Sequence, residues 1–255
     1  MRTLLIGCWY QLLVLRRSPA DLMALFVVPV NTTVFLAIMQ HADRPDLAGH
    51  AVLAPGLMAL WAISLVTCGE LIDAERWGGT LEALVAVPAR MLPLLTGRIV
   101  VVVTASLFAF VESYFVALVF FDVSISVPHL GVFVVSMLAT GLAMACWAGV
   151  MASVFVLARS ARIFQNALGF PFFVLGGVIV PVSYLPDWLR PLTNVVFLSW
   201  SSDLLRDALN PAPVQDFGFR LLVLLLLALA GGGLGAYLLS AVLRRVRSLG
   251  TLTYA

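Results

Sequence analysis

Six stretches of the chain are apolar over lengths near that of a membrane-spanning helix, and polar residues gather between them. They run over about 20–40, 51–72, 98–121, 130–157, 163–184 and 217–243. A hydrocarbon core of about 30 Å takes around 20 helical residues, so each predicts a span. The opening run 3–15 is shorter and is closed by Arg16-Arg17-Ser18-Pro19. It predicts an interfacial helix with Leu5, Cys8, Trp9 and Leu12 on one face. A cleaved signal peptide is the alternative, but two arginines stand where small residues should mark the cleavage site.

The fifth stretch is interrupted by Gly169, Pro171, Gly176, Gly177 and Pro181. A helix broken at membrane depth persists only where protein or a watered cavity covers the freed backbone. Beyond it, the apolar run 191–202 lies among Asp187, Arg190, Asp203, Arg206 and Asp207 and is too short to cross. It predicts a short helical hairpin at or dipping into the outer surface, with an ordinary loop as the alternative. Small residues recur at fourfold spacing at Gly141, Ala145, Gly149 and Ser153, and again at Gly231 and Gly235. Such faces let helices approach closely, which predicts a compact bundle.

Composition bears out lipid as the main solvent. Of 255 residues, 62% are hydrophobic and 11% charged, against roughly 45–50% and about 25% in an average soluble domain. Every one of the 15 basic residues is Arg. Without lysine the chain has no P-loop or Schiff-base chemistry and cannot hydrolyse ATP by the Walker route itself. The net charge of +2 provides no field for nucleic acid, which is excluded as a partner.

The arginines also orient the chain. With both termini cytoplasmic, the inner segments hold eleven: Arg2, Arg16, Arg17, Arg76, Arg90, Arg98, Arg159, Arg162, Arg244, Arg245 and Arg247. The outer segments hold four, Arg44, Arg190, Arg206 and Arg220. Six spans with two inner termini satisfy the positive-inside rule. The expected place is the plasma membrane of a bacterium.

Candidate chemistry is sparse. Cys8, Cys68 and Cys146 are odd in number and far apart, and fit neither a metal cluster nor a disulfide framework. Leu5-Ile6-Gly7-Cys8 resembles a lipoprotein cleavage box, but too few apolar residues precede it. No H-E-x-x-H or G-x-S-x-G motif occurs, so no catalytic group is assigned. Glu112 is the acidic residue well inside a hydrophobic stretch. Its charge costs about 3 kcal/mol at mid-helix, which the surrounding Val, Ile, Leu and Phe offset with about 5–9 kcal/mol. Glu112 and Asn31 are therefore candidates for a substrate path or a seam between subunits, with plain structural hydrogen bonding as the alternative.

The most informative polar segment is Glu75-Arg-Trp-Gly-Gly-Thr-Leu-Glu-Ala-Leu-Val-Ala-Val-Pro-Ala-Arg90 between the second and third spans. A short amphipathic helix along the inner surface, polar at its start, is something a peripheral protein can grip. The segment resembles the first cytoplasmic loop of the type-2 ABC transporter permease family, whose loose pattern Glu75, Gly79, Thr80, Leu81, Glu82 and Pro88 match. Arg162-Ile-Phe-Gln-Asn166, the Gly/Pro-broken fifth stretch, Pro181-Val-Ser-Tyr-Leu-Pro-Asp-Trp-Leu189 and Arg206-Asp207 extend the likeness in order. One departure is Phe197-Leu-Ser-Trp-Ser201, where the family often carries a Pro.

The resemblance implies an all-α permease domain over residues 1–255: an interfacial helix (1–17), six spans, a cytoplasmic coupling segment (75–97) and an outer re-entrant region (185–212). It assigns coupling to Glu75, Arg76, Gly79, Thr80, Leu81, Glu82, Leu84 and Pro88, and an outer cap to Pro181, Pro186, Trp188 and Arg206. A separate ATPase subunit, two copies or a pair, would carry ATP and Mg. A second permease, the same or different, would complete the pore, and a hydrophobic drug-like molecule or lipid would be exported. An ion-coupled secondary carrier and a membrane-embedded enzyme are the alternatives.

Overall fold

The computed structural model describes residues 2–17, 23–44, 47–77, 91–157 and 169–249. Among these the regular structure is all helical. The elements are α1 (Arg2–Arg17), α2 (Met23–His41), α3 (Ala48–Trp77), α4 (Met91–Ser106), α5 (Phe108–Phe121), α6 (Leu130–Leu157), α7 (Arg190–Thr193), α8 (Phe197–Leu209) and α9 (Phe217–Leu249). Residues 169–175 are also helical, and Val182–Tyr184 form a 3-10 turn.

Among the described residues, three stretches are long and apolar enough to cross a membrane: Thr96–Phe121, Leu130–Met151 and Phe217–Ala241. Phe26–His41 and Ala48–Ser64 are shorter apolar helices. The expected third span runs through Thr96–Phe121 with one tightened turn at Leu107, where α4 gives way to α5 and the backbone stays in the helical region. No Gly or Pro marks the site. Instead Ser106 Oγ donates to the Val103 carbonyl at 2.8 Å, and the Phe110 amide bonds back only three residues, to Leu107. A hydroxyl competing for the helical ladder tightens the turn locally.

Helices α6 and α9 pack along most of their length, and the small-residue faces explain why. A Cβ on Gly235 would come within 2.9 Å of the Val150 amide nitrogen, and one on Gly231 would meet the Trp147 ring. Gly141 instead faces Val103 and Leu107 of the α4 side. Around this pair, α3 packs on α2, α4, α5 and α6. The core between them holds Leu57, Leu60 and Trp61 of α3, Met144 of α6, Leu204 and Leu205 of α8, and Leu224 of α9.

Helix α1 lies against α4. Gly7 and Gly97 form the crossing, and a Cβ on either would run into the other helix's backbone, at Leu94 or Leu4. Leu5, Trp9 and Leu12 share an exposed face, joined by Ile6. Cys8 departs from that face: its thiol turns inward and donates to the Gly97 carbonyl at 3.3 Å.

At one end of the bundle, the connections between α2 and α3, α5 and α6, and α8 and α9 lie together; we call it the cap end. Among the described residues, the non-glycine residues with positive φ are all aspartates of these connections, Asp43, Asp122 and Asp216. Aspartate tolerates the left-handed conformation better than most side chains, so each reverses the chain sharply.

Candidate functional site

The cap is built on the break in the fifth apolar stretch. The helix 169–175 ends at Gly176–Gly177, and Gly177 adopts φ +63°, which a side chain would resist. The amides of Gly176, Gly177 and Val178 still bond back to Phe172, Val174 and Phe173. Their carbonyls have no helix ahead to supply donors.

Helix α8 supplies them. Ser202 Oγ donates to the Gly176 carbonyl at 2.7 Å. Arg206, one turn on, donates through one guanidinium nitrogen to the carbonyls of Gly177 and, at 3.1 Å, Val178. Its other terminal nitrogen reaches Asp203 at 3.5 Å. Burial pulls Arg206 below the ordinary arginine range, against the attraction of Asp203 and Asp207. Burial likewise lifts the Asp203 carboxyl, against Arg206 and Arg220.

The rest of α8 is fastened to the bundle. Asp207 pairs with Arg220 of α9. The His129 amide donates to the Ala208 carbonyl at 3.3 Å, and its ring nitrogen lies 3.0 Å from the Ala212 carbonyl. On the buried face, Phe197 stands between Trp61 of α3 and Trp147 of α6, with centroids 6.2 and 5.9 Å away. Phe172 stacks on the far side of Trp61 at 4.5 Å. The hairpin expected at the surface thus has one face deep in the core, because α8 is amphipathic and Leu198, Leu204 and Leu205 need cover.

Of the residues expected in the cap, Pro181 introduces the 3-10 turn and Arg206 is the anchor, whereas Pro186 and Trp188 lie exposed at the periphery. Arg190 organises that periphery, donating to the carbonyls of Leu185 and Ser183 and pairing with Asp187 at 2.9 Å. Ser202 was not foreseen. Its signal was present as a serine four residues before Arg206 on one helical face.

Within the bundle, Glu112 of α5 is half-buried, and its Oε2 is buried without a hydrogen-bond partner. Asn31 of α2 lines a cavity of about 200 Å³ with Pro55 and Met58 of α3 and Phe173. The structure assigns no contact between the two. What joins their helices is a pair not foreseen, Thr32 and Ser113, 2.8 Å apart, with Ser113 donating to the Val52 carbonyl of α3 at 2.6 Å. Arg98, taken above as an inner surface charge, is 3% exposed. It donates to Gln11 Oε1 at 3.0 Å and lies over the Tyr10 ring at 4.8 Å.

Glu75 and Arg76 fall in the last turn of α3. Gly79, Thr80, Leu81, Glu82, Leu84 and Pro88 lie outside the described residues.

A comparison with protein families decides what this bundle is: the profile of the ABC-2 type transporter matches residues 3–210. The chain belongs to the ABC-2 type transporter family. Comparison with curated proteins finds no match. The ABC-2 match begins in α1 and ends just past α8, so it takes in the broken stretch and the cap and leaves out α9. The chain is accordingly a multi-pass membrane protein and an ABC transporter permease subunit, of a family whose members are membrane subunits for transport, not themselves catalytic, and work with an ABC ATPase subunit.

Proposed function

We propose that this permease exports a hydrophobic small molecule or a lipid from the cytoplasm or inner leaflet, driven by a separate ATPase that grips residues 75–90. It works beside a second permease, the same or different, in the plasma membrane of a bacterium, with both termini cytoplasmic and the cap end outside. ATP and Mg reside on the ATPase.

The observation that supports an apolar cargo is the cavity between α2, α3 and the fifth stretch, where Asn31 is the one polar side chain among Val27, Val28, Pro55, Met58, Ala59, Ala62 and Phe173. A mostly apolar lining with a single orienting amide suits an apolar group of a molecule that arrives from lipid, and at about 200 Å³ it takes a part of such a molecule and not the whole. Coupling follows from the charges at 75–90. Glu75 and Glu82 offer polar contacts to a peripheral protein, while Leu81 and Leu84 can rest on the membrane interface. Force applied there reaches the second and third apolar stretches, which the segment joins.

The test is purification of the tagged permease from its native membrane. A Walker-lysine ATPase should accompany it, and a hydrophobic dye or a phospholipid should stimulate its hydrolysis after reconstitution. The double variant Glu75→Arg/Glu82→Arg should lose both co-purification and stimulation while remaining monodisperse. Full stimulation in that variant would overturn the coupling role of Glu75 and Glu82, whereas a permease that purifies without any ATPase and whose transport follows an ion gradient would favour an ion-coupled carrier.

A further inference from the structure

We infer that Arg206 is a positioning residue of the permease, a latch that holds the break of the fifth stretch closed against α8 and swings into the adjoining cavity when that stretch moves. That the movement serves export rests on the function proposed above; the latch itself does not.

The geometry separates a fixed part from a held part. Helix α8 is fixed by the core contacts of Leu204 and Leu205, by the Asp207–Arg220 pair and by the His129 bonds to Ala208 and Ala212. The segment 176–178 meets α8 through Gly176 against Leu198 and Val178 in the shared core, and through carbonyl oxygens that no helix satisfies, to all three of which Ser202 and Arg206 donate. Two of the three acceptors depend on one guanidinium. A buried carbonyl left without a donor is costly, so the break stays closed while Arg206 stays in place.

Arg206 also has somewhere else to go. It forms part of the wall of a cavity of about 440 Å³ at the cap end, together with Gly49, His50, Ser124, Ser126 and Asn210. Those side chains offer hydroxyl and amide acceptors, and the cavity has room for water. A guanidinium exchanging two carbonyls for such acceptors remains solvated throughout. A core lined by leucine would give it no second position. The cavity next to the latch is thus what makes Arg206 releasable.

The experiment reads solvent access to Val178, which is fully buried behind Arg206. The full-length permease, freed of its own cysteines and carrying Val178→Cys, is placed in lipid nanodiscs and labelled with a small cationic methanethiosulfonate. Neither substrate nor ATPase is needed, and both faces are accessible, so failure here is distinct from failure of the proposed export. Arg206→Gln should raise the labelling rate about tenfold or more, the change expected on losing charge-assisted hydrogen bonds. Ser126→Trp, which fills the cavity, should slow labelling when Arg206 is present and have no effect in the Arg206→Gln background. A purely structural clamp would not respond to the cavity. Should Arg206→Gln fail to fold, Arg206→Lys keeps the charge but cannot fork over two carbonyls, and serves in the same comparison. Labelling unchanged by loss of Arg206 would overturn the latch, and Ser126→Trp without effect on the parent would overturn its swing.

Discussion

Thr32 of α2 and Ser113 of α5 meet oxygen to oxygen at 2.8 Å, and both side chains are fully buried. Ser113 donates its own hydrogen bond to the Val52 carbonyl of α3, so three helices are joined through two hydroxyls. With that proton committed, Thr32 is the donor to Ser113, and its one hydroxyl proton can turn instead to the Val28 carbonyl of its own helix at 2.8 Å. Replacing Ser113 by Ala therefore removes the inter-helix link without leaving Thr32 unsatisfied. Hydroxyl links of this kind are worth about 0.6 kcal/mol on average in membrane bundles. For Ser113→Ala we expect a melting temperature lower by about 1–3 °C in detergent, and the same for Thr32→Ala, with little further loss in the double variant. Additive losses would mean that the two hydroxyls act separately.

The α1–α4 crossing is less forgiving. A side chain at Gly97 would collide with the Leu4 carbonyl and come within 3.0 Å of the Cys8 amide nitrogen. Both are backbone and cannot yield like a flexible side chain. Gly97→Leu should lift α1 from α4 and separate Arg98 from Gln11, at a cost of about 1–3 kcal/mol. Gly149→Ala is the control, since nothing lies within 4 Å of a Cβ there. Thermal unfolding of the two variants should differ clearly, and equal loss would contradict the tight crossing.

Glu112 keeps one buried oxygen without a partner. If it lines the transport path or a permease–permease seam, Glu112→Gln should leave expression nearly unchanged and alter transport, because shape and most hydrogen-bonding capacity survive while the charge does not. Unchanged export would assign Glu112 to structure alone.

Orientation is tested by single cysteines in a background without Cys8, Cys68 and Cys146. Positions Ser160 and Ser248 should resist an impermeant thiol reagent in intact cells, and Asp46 and Asp216 should react. The eleven-to-four distribution of arginines motivates this pattern. Reaction at Ser248 with protection at Asp216 would invert the chain in the membrane.

The sequence by itself determined the helical class and the membrane setting, because long apolar runs such as 217–241 are local signals that need no tertiary partner. It also located the break in the fifth stretch, since Gly176, Gly177 and Pro181 disfavour a continuing helix wherever they stand. The order of motifs from Glu75 to Asp207 sufficed for the family, which the match over 3–210 bears out. Other features were decided only by packing. The turn between α4 and α5 tightened at Ser106 without any glycine or proline to announce it. Arg98 looked like a surface charge until α1 laid Gln11 and Tyr10 over it. Arg206 was legible as a cap residue, but its bonds to Gly177 and Val178 span nearly thirty residues of chain. Hydrophobic runs and helix breakers act through the residue's own backbone or its nearest turn, whereas a carbonyl's distant donor depends on how whole helices come to rest against one another.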